Sequence, residues 1–464
     1  MAIHRHDNHK SANAFMEWVD RRMPVTKVWN EHLAEYWAPK NFNFWYFFGS
    51  LAILVLVIQI FTGIFLTMHY KPDTALAFAS VEYIMRDVPF GWLVRYMHST
   101  GASAFFVVVY MHMFRGIIYG SHREPRELVW LIGCLIFVAL MAESFMGYLL
   151  PWGNMSYWGA QVILSLFDVI PYVGPALTEW IRGDFVISDA TLNRFFAFHV
   201  ILMPLILIVL VFLHLIALHQ VGSNNPDGID IYDHVDENGK PLDGVGFHPY
   251  HTVKDLVGVC GFLIIYLAVI FFAPDFGGIF LEKDNFAAAN PLQTPPDIVP
   301  LWYFTPFYSI LRASTDSLLQ FMAIATGVIA LLALALGKFT MKTKGIIAVG
   351  ALVLIYFLLT GSGKAWGVVL MGASIVMLFL LPWLDRSPVL SIRYRSWPFK
   401  VALALFLVAF FVLGYLGLNS PTPLRTLAAQ ICTVIYFAFF LLMPWFTSIG
   451  QTKPVPDRVV FDKH

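Results

Sequence analysis

Charge is scarce in this 464-residue chain: Asp, Glu, Lys and Arg make only 13% of it. Ordinary soluble domains carry about 25%. Hydrophobic residues make 58%, and mean hydropathy is +0.68. A water-soluble fold of this size cannot hide so much apolar surface, so lipid must solvate most of it. Neither sign of charge dominates. Thirty basic residues balance thirty acidic ones, which removes the electrostatic case for nucleic acid as a partner. Cysteine is rare as well. Cys134, Cys260 and Cys432 lie far apart within apolar runs and form neither CxxC nor CxxCH. That argues against disulfide frameworks, thiolate-bound clusters and covalently attached c-type haem. The polar first 43 residues are amphipathic around 15–37 and lack the apolar core and cleavage site of a secretory signal.

What is abundant is apolar sequence in bilayer-length runs. Ten segments approach the ~20 residues that cross a membrane: 44–67, 97–119, 128–149, 198–219, 254–273, 318–337, 346–361, 365–384, 400–418 and 427–447. Basic residues cluster in alternate connections: Arg21, Arg22 and Lys27; Arg115, Arg123 and Arg126; Lys338, Lys342 and Lys344; Arg386, Arg393, Arg395 and Lys400. The positive-inside rule then puts those loops and both termini in the cytoplasm. Loops 68–96, 150–197 and 274–317 fall on the opposite side, where their Pro, Gly and Trp predict short interfacial helices. The glycine-rich loop 220–253 separates the first four spans from the rest.

Fifteen histidines stand out in such a composition. Span two carries His98 and His112, 14 residues apart, and span four carries His199 and His214, 15 apart. At 1.5 Å and 100° per residue, each pair is separated by about 21–22 Å and stays within about 60° of one face. Both spans run outside to inside. His98 therefore shares the outer depth with His199, and His112 the inner depth with His214. A lone membrane histidine more often hydrogen-bonds a neighbour or lines a proton path. Four at matched depths on two helices point to ligation. Zinc favours a compact tetrahedral set, whereas two facing imidazoles suit iron in a planar macrocycle with both axial positions filled. Gly49 and Gly63 on span one, and Gly133 and Gly147 on span three, repeat the 14-residue spacing at the same depths. They would leave notches for a porphyrin face, although small residues also serve plain helix packing. Arg95 precedes His98 by three positions and Arg115 follows His112 by three, placed for haem propionates or for interfacial snorkelling.

The stretches RYMHSTGASAFF (95–106), HMFRG (112–116), FMGYLLPWGNMSYWGAQVI (145–163), RFFAFHVILMP (194–204), HLIALHQVGSNNPDG (214–228), FHPYHTVKD (247–255), NPLQTPPDIVPLWYFTPFYSILRA (290–313) and LPWLDRSP (381–388) carry a family resemblance over nearly all of 15–450. The chain resembles cytochrome b, the di-haem membrane subunit of respiratory complex III, in its bacterial form. The 15-residue spacing on span four is one longer than the mitochondrial 14, with Met203 as the extra residue. The resemblance implies an all-α membrane protein of about ten transmembrane helices. Its segments would be an N-terminal cytoplasmic piece (1–43), a di-haem four-helix bundle (44–222), a cytoplasmic loop (223–253) and a C-terminal helical domain (254–464).

It further implies a catalytic subunit of quinol–cytochrome c reductase in the bacterial inner membrane. Two non-covalent b-type haems would be present, an outer low-potential and an inner high-potential one. Partners would be a Rieske-type iron–sulfur subunit, a cytochrome c1-type subunit, membrane quinone and a second copy of the complex. An outer pocket of Phe145, Tyr148, Gly159, Pro300, Trp302 and Tyr303 would oxidise quinol. An inner pocket of His219, Ser223, Lys254 and Asp255 would reduce quinone, with His219 and Asp255 handling protons.

Two departures from the family pattern matter. About fifty residues near 315–364 look like an inserted two-span hairpin, free of His, Asp and Glu after Asp316. The family's Pro-Glu-Trp-Tyr is here Pro300-Leu301-Trp302-Tyr303, which removes a proton-accepting carboxylate. Asp297 is the nearest replacement in sequence. Other classes remain conceivable: a proton-coupled transporter, for which no duplicated segment is found, and a di-haem anchor subunit, which would not need quinone-pocket segments.

Overall fold

The computed structural model describes residues 14–30 and 36–461. The segment 31–35 and both chain ends, whose cytoplasmic placement the basic loops predict, lie outside the described residues. Ten helices are long and apolar enough to cross a membrane: α1 (Phe44–Thr67), α2 (Gly91–Ile118), α3 (Glu127–Leu149), α4 (Asp189–Val221), α5 (Phe247–Phe272), α6 (Asp316–Leu336), α7 (Met341–Thr360), α8 (Gly363–Leu384), α9 (Trp397–Gly417) and α10 (Pro423–Leu441). They are apolar nearly all round, as helices surrounded by lipid and by one another must be. Each matches one of the ten expected spans; α2, α4 and α5 begin six to nine residues earlier than expected and α10 ends six earlier.

Helices α1 and α2 pack as one pair and α3 and α4 as another, and the pairs face each other across the four histidines. Helix α5 leans on α1 and α2, while α8 reaches α3, where the Trp130 indole donates to the Leu378 carbonyl at 2.7 Å. The second half gathers around the short helix Thr305–Ala313, which packs against α8, α9 and α10. In lipid the hydrophobic effect does not join helices, so close packing and interhelical hydrogen bonds do that work. The Tyr436 hydroxyl, donating to the Ser374 carbonyl between α10 and α8, is another such tie.

Short helices Ala77–Arg86, Asn154–Leu164 and Gly174–Arg182 fill the connections at the His98 end. At the His112 end, strands Trp37–Pro39 and Gly244–Gly246 pair antiparallel. Buried Asp227 there accepts from Asn41 Nδ2, Arg393 Nη1, the Tyr394 hydroxyl and the Val460 amide. One carboxylate thus ties four separate segments together. Helices α6 and α7 form a hairpin: they pack chiefly on each other, and α7 is only 6% buried.

Candidate functional site

The four membrane histidines meet as two stacked pairs. His98 and His199 have ring centroids 6.0 Å apart, and His112 and His214 6.3 Å apart. Two metal–nitrogen bonds of about 2 Å plus the ring radii span about 6 Å, so each gap has room for one axially ligated iron. Among the described residues no three His, Cys, Asp or Glu side chains converge on a metal position. A group bound at either pair would have to bring its other ligands, as a porphyrin does.

Helix α4 is wider for one turn near its start. Phe198–Leu202 forms a π-helical turn ending next to Met203, and such a turn absorbs one additional residue without breaking the helix. His199 sits inside it. Its Nδ1 lies 3.1 Å from both the backbone carbonyl and the carboxylate of Glu143. His98 Nδ1 lies 2.9 Å from the Thr62 hydroxyl. A partner at Nδ1 leaves Nε2 for the metal and holds the ring in place. His112 Nδ1, by contrast, is buried with no hydrogen-bond partner among the described residues.

Each of the four glycines abuts one imidazole. A Cβ on Gly63 would lie 3.1 Å from His98 Cε1, on Gly133 3.3 Å from His214 Cε1, and on Gly49 3.5 Å from His112 Cε1. On Gly147 it would collide with the His199 ring. The glycines therefore make room first for the histidine rings, and only through them for a bound macrocycle. Arg95 lines the cavity around His98 and His199. Arg115 has its guanidinium 4.9 Å over the Tyr46 ring and reaches Ser121 Oγ at 3.3 Å, while its Nε is buried without a partner among the described residues. An anion arriving beside His112 could use that nitrogen.

Two apolar cavities lie side by side at the His98 end. One holds His98, His199, Arg95, Gly63, Gly147 and Tyr303. The second is lined by Phe145, Tyr148, Gly159, Pro300 and Phe304, with Met371 and Ile375 closing it from α8. Tyr148 and Leu301 line both and form the wall between them. Two expected pocket residues sit elsewhere. Tyr303 is buried on the histidine side, stacked 3.8 Å on Phe106, and Trp302 turns away so that its indole donates to Ser103 Oγ at 3.0 Å. Asp297 is not brought to either cavity. It is exposed, and its carboxylate accepts from the Ser420 hydroxyl at 2.6 Å.

At the His112 end, His219 lies against Tyr36, with centroids 4.7 Å apart, and the Tyr36 hydroxyl is 3.2 Å from Ser223 Oγ. Lys254 Nζ donates to the Phe42 carbonyl at 2.5 Å, and Asp255 faces Ser50. The segment from Tyr36 to Ser50 thus bridges two halves of the expected pocket. Sequence reasoning missed Tyr36, Thr62 and Glu143. Glu143 alone offered a signal, as an acidic residue inside an apolar span.

Comparison with known proteins agrees with this architecture. The family described as Cytochrome b/b6/petB matches residues 33–222, and Cytochrome b(C-terminal)/b6/petD matches 288–362 and 352–437. A cytochrome b from Allochromatium vinosum is 55% identical over 448 residues, 96% of this chain and 98% of that protein. A longer protein named cytochrome b/c1, from Bradyrhizobium diazoefficiens, is 38% identical; the match covers 97% of this chain and 57% of that one. Among solved structures, a hyperthermophilic respiratory complex III chain superposes with a TM-score of 0.77 at 35% identity, covering 94% of this chain and 99% of that one. With ten spans, two histidine pairs and both halves of the family on one polypeptide, the chain belongs to the cytochrome b family in its respiratory complex III form.

Proposed function

We propose that the chain is the catalytic subunit of a quinol–cytochrome c reductase. It oxidises quinol at an outer pocket and delivers electrons through two b-type haems to a quinone-reducing inner pocket. The observation that carries this reading is the stack of two imidazole pairs, 6.0 and 6.3 Å between rings, on the same two helices. Haem b bound at these pairs supplies one-electron redox chemistry.

The chain's own residues do the rest. His98 and His199 hold the outer, low-potential group, and His112 and His214 the inner, high-potential one. Thr62 and Glu143 fix the outer imidazoles through Nδ1. Arg95 and Arg115 pair with propionates. Phe145, Tyr148, Gly159 and Pro300 receive the quinol ring in the cavity beside the outer pair. At the inner face, His219 and Asp255 supply protons, while Ser223 and Lys254 orient the quinone. Moving one charge across 100 mV of membrane potential is worth about 2.3 kcal/mol, which is how the crossing conserves energy.

A Rieske-type iron–sulfur subunit accepts one electron from quinol and passes it towards a cytochrome c1-type subunit, in a complex that pairs with its own copy. The alternating basic loops support an orientation with cytoplasmic termini, and the family resemblance supports a bacterial inner membrane. The test is a reduced-minus-oxidised visible spectrum of the purified complex, followed by reduction with quinol. Two low-spin b-type signals, both reducible by quinol, support the proposal. Absence of haem, or haem that quinol cannot reduce, rejects it.

A further inference from the structure

Oxidising a quinol releases two protons with its two electrons, yet Leu301 stands where the family motif has a carboxylate and Asp297 faces solvent. Another carboxylate is closer to the pocket. The Tyr148 hydroxyl, in the wall between the two cavities, donates to Glu282 Oε2 at 2.9 Å. Resting on the quinol-oxidising reading above, we infer that Glu282 is the proton acceptor of the outer pocket, reached through the Tyr148 hydroxyl.

Three observations support the assignment. First, the Glu282 turn is pinned in place. Asn285 Oδ1 accepts from the Ser156 amide at 2.8 Å, and the Asn154 amide donates to the Ala287 carbonyl at 2.8 Å. The Ser156 hydroxyl in turn donates to the Tyr148 carbonyl at 2.6 Å, so acid and tyrosine are held by one small scaffold. Second, Glu282 is half-buried while the next two residues, Lys283 and Asp284, are exposed, so the carboxylate lies between Tyr148 and the surface of its loop. Third, the groups facing it suit a base at neutral pH. Burial pushes the carboxyl up to about 7, opposed by hydrogen bonding from its own backbone and from Tyr148, and reinforced by the negative Asp284; Tyr303 faces it from the other side. A base with this affinity takes and releases a proton near working pH.

The step balances as follows. One electron of the quinol leaves to the iron–sulfur partner with one proton, and the other would leave to the one-electron acceptor that His98 and His199 would hold. The remaining quinol proton passes to the Tyr148 oxygen as the Tyr148 proton moves to the Glu282 carboxylate. Tyr148 ends unchanged, and Glu282 stays neutral until it releases the proton to water beside Lys283 and Asp284.

The experiment compares quinol–cytochrome c turnover and its pH profile in complexes carrying Glu282→Gln, Glu282→Asp, Asp297→Asn or Glu282→Gln with Leu301→Glu. Glu282→Gln is expected to lower kcat about 10²-fold with both haem signals retained, and to abolish the rise in rate through pH 7. KM should change by no more than about twofold. Glu282→Asp should keep part of the rate, the double variant should regain most of it, and Asp297→Asn should behave as the parent. Full turnover with an unchanged pH profile in Glu282→Gln, or the loss appearing in Asp297→Asn instead, overturns the assignment. Where Glu282→Gln fails to assemble, Tyr148→Phe cuts the same relay, and a parental pH profile there overturns it equally. A parent complex with two haems that cannot oxidise quinol would instead sink the functional reading itself.

Discussion

His122 Nε2 lies 3.0 Å from the Asp385 carboxylate, with both side chains sealed from solvent. Arg395, also buried, donates to the same oxygen at 2.6 Å, so one carboxylate joins the loop after α2 to the segment between α8 and α9.

That triad predicts acid-sensitive stability. Burial works against the Asp385 charge, but the His122 hydrogen bond and Arg395 outweigh it and hold the carboxyl well below the usual carboxylate range. His122 is lowered as well, chiefly by burial, against the pull of Asp385. For both groups the unfolded chain binds protons more readily, so their contributions are present above the unfolded pKa values and fade as pH falls. The loss should begin below about pH 6.5, through His122, and deepen below about pH 4, through Asp385. Asp385→Ala leaves Arg395 buried without its carboxylate and should cost about 3–5 kcal/mol, read as a lowered melting temperature in detergent at pH 7. A parental melting temperature would refute this.

On the proposed reading, replacing His98 or His199 should remove one haem signal, and replacing His112 or His214 the other, because each facing pair would hold one haem. Visible spectra at low temperature separate the two. If a His98 variant lost the same signal as a His112 variant, the pairing would be wrong.

The glycines should rank by clearance. Gly147→Ala drives a Cβ into the His199 ring and should diminish the haem signal at that end or shift its potential. Gly63→Ala and Gly133→Ala, at 3.1 and 3.3 Å, should be milder. Gly49→Ala, at an ordinary contact of 3.5 Å, should be nearly silent. Redox titration of the four variants checks the order.

Removing the α6–α7 hairpin, residues 318–361, should leave both haem signals intact. Its apolar contacts are mainly internal, with Leu319, Ala323 and Leu358 forming their own cluster against Trp366 of α8. Loss of both signals on deletion would make the hairpin part of the core.

Much of this molecule was legible in one dimension because a membrane imposes one-dimensional rules. A span must be about 20 apolar residues long and fully helical, so hydropathy alone located all ten helices. A rigid helix converts sequence spacing into depth, which is why His98 could be matched to His199 and His112 to His214 before any coordinates. Irregular chain obeys no such conversion. Glu282 is 134 positions from Tyr148, and only the folding of its loop over Asn154–Leu164 brings the two together. Nearness in sequence pointed to Asp297 instead, and the turn around Pro300 leaves that side chain on Ser420. The same holds for Trp302, whose direction was settled by Ser103 on α2, 199 positions away. Span count and the depth of the histidine pairs were thus written in the order of residues. Which loop carboxylate meets Tyr148, and which ring each glycine clears, depended on tertiary packing, because no local period ties those groups to one another.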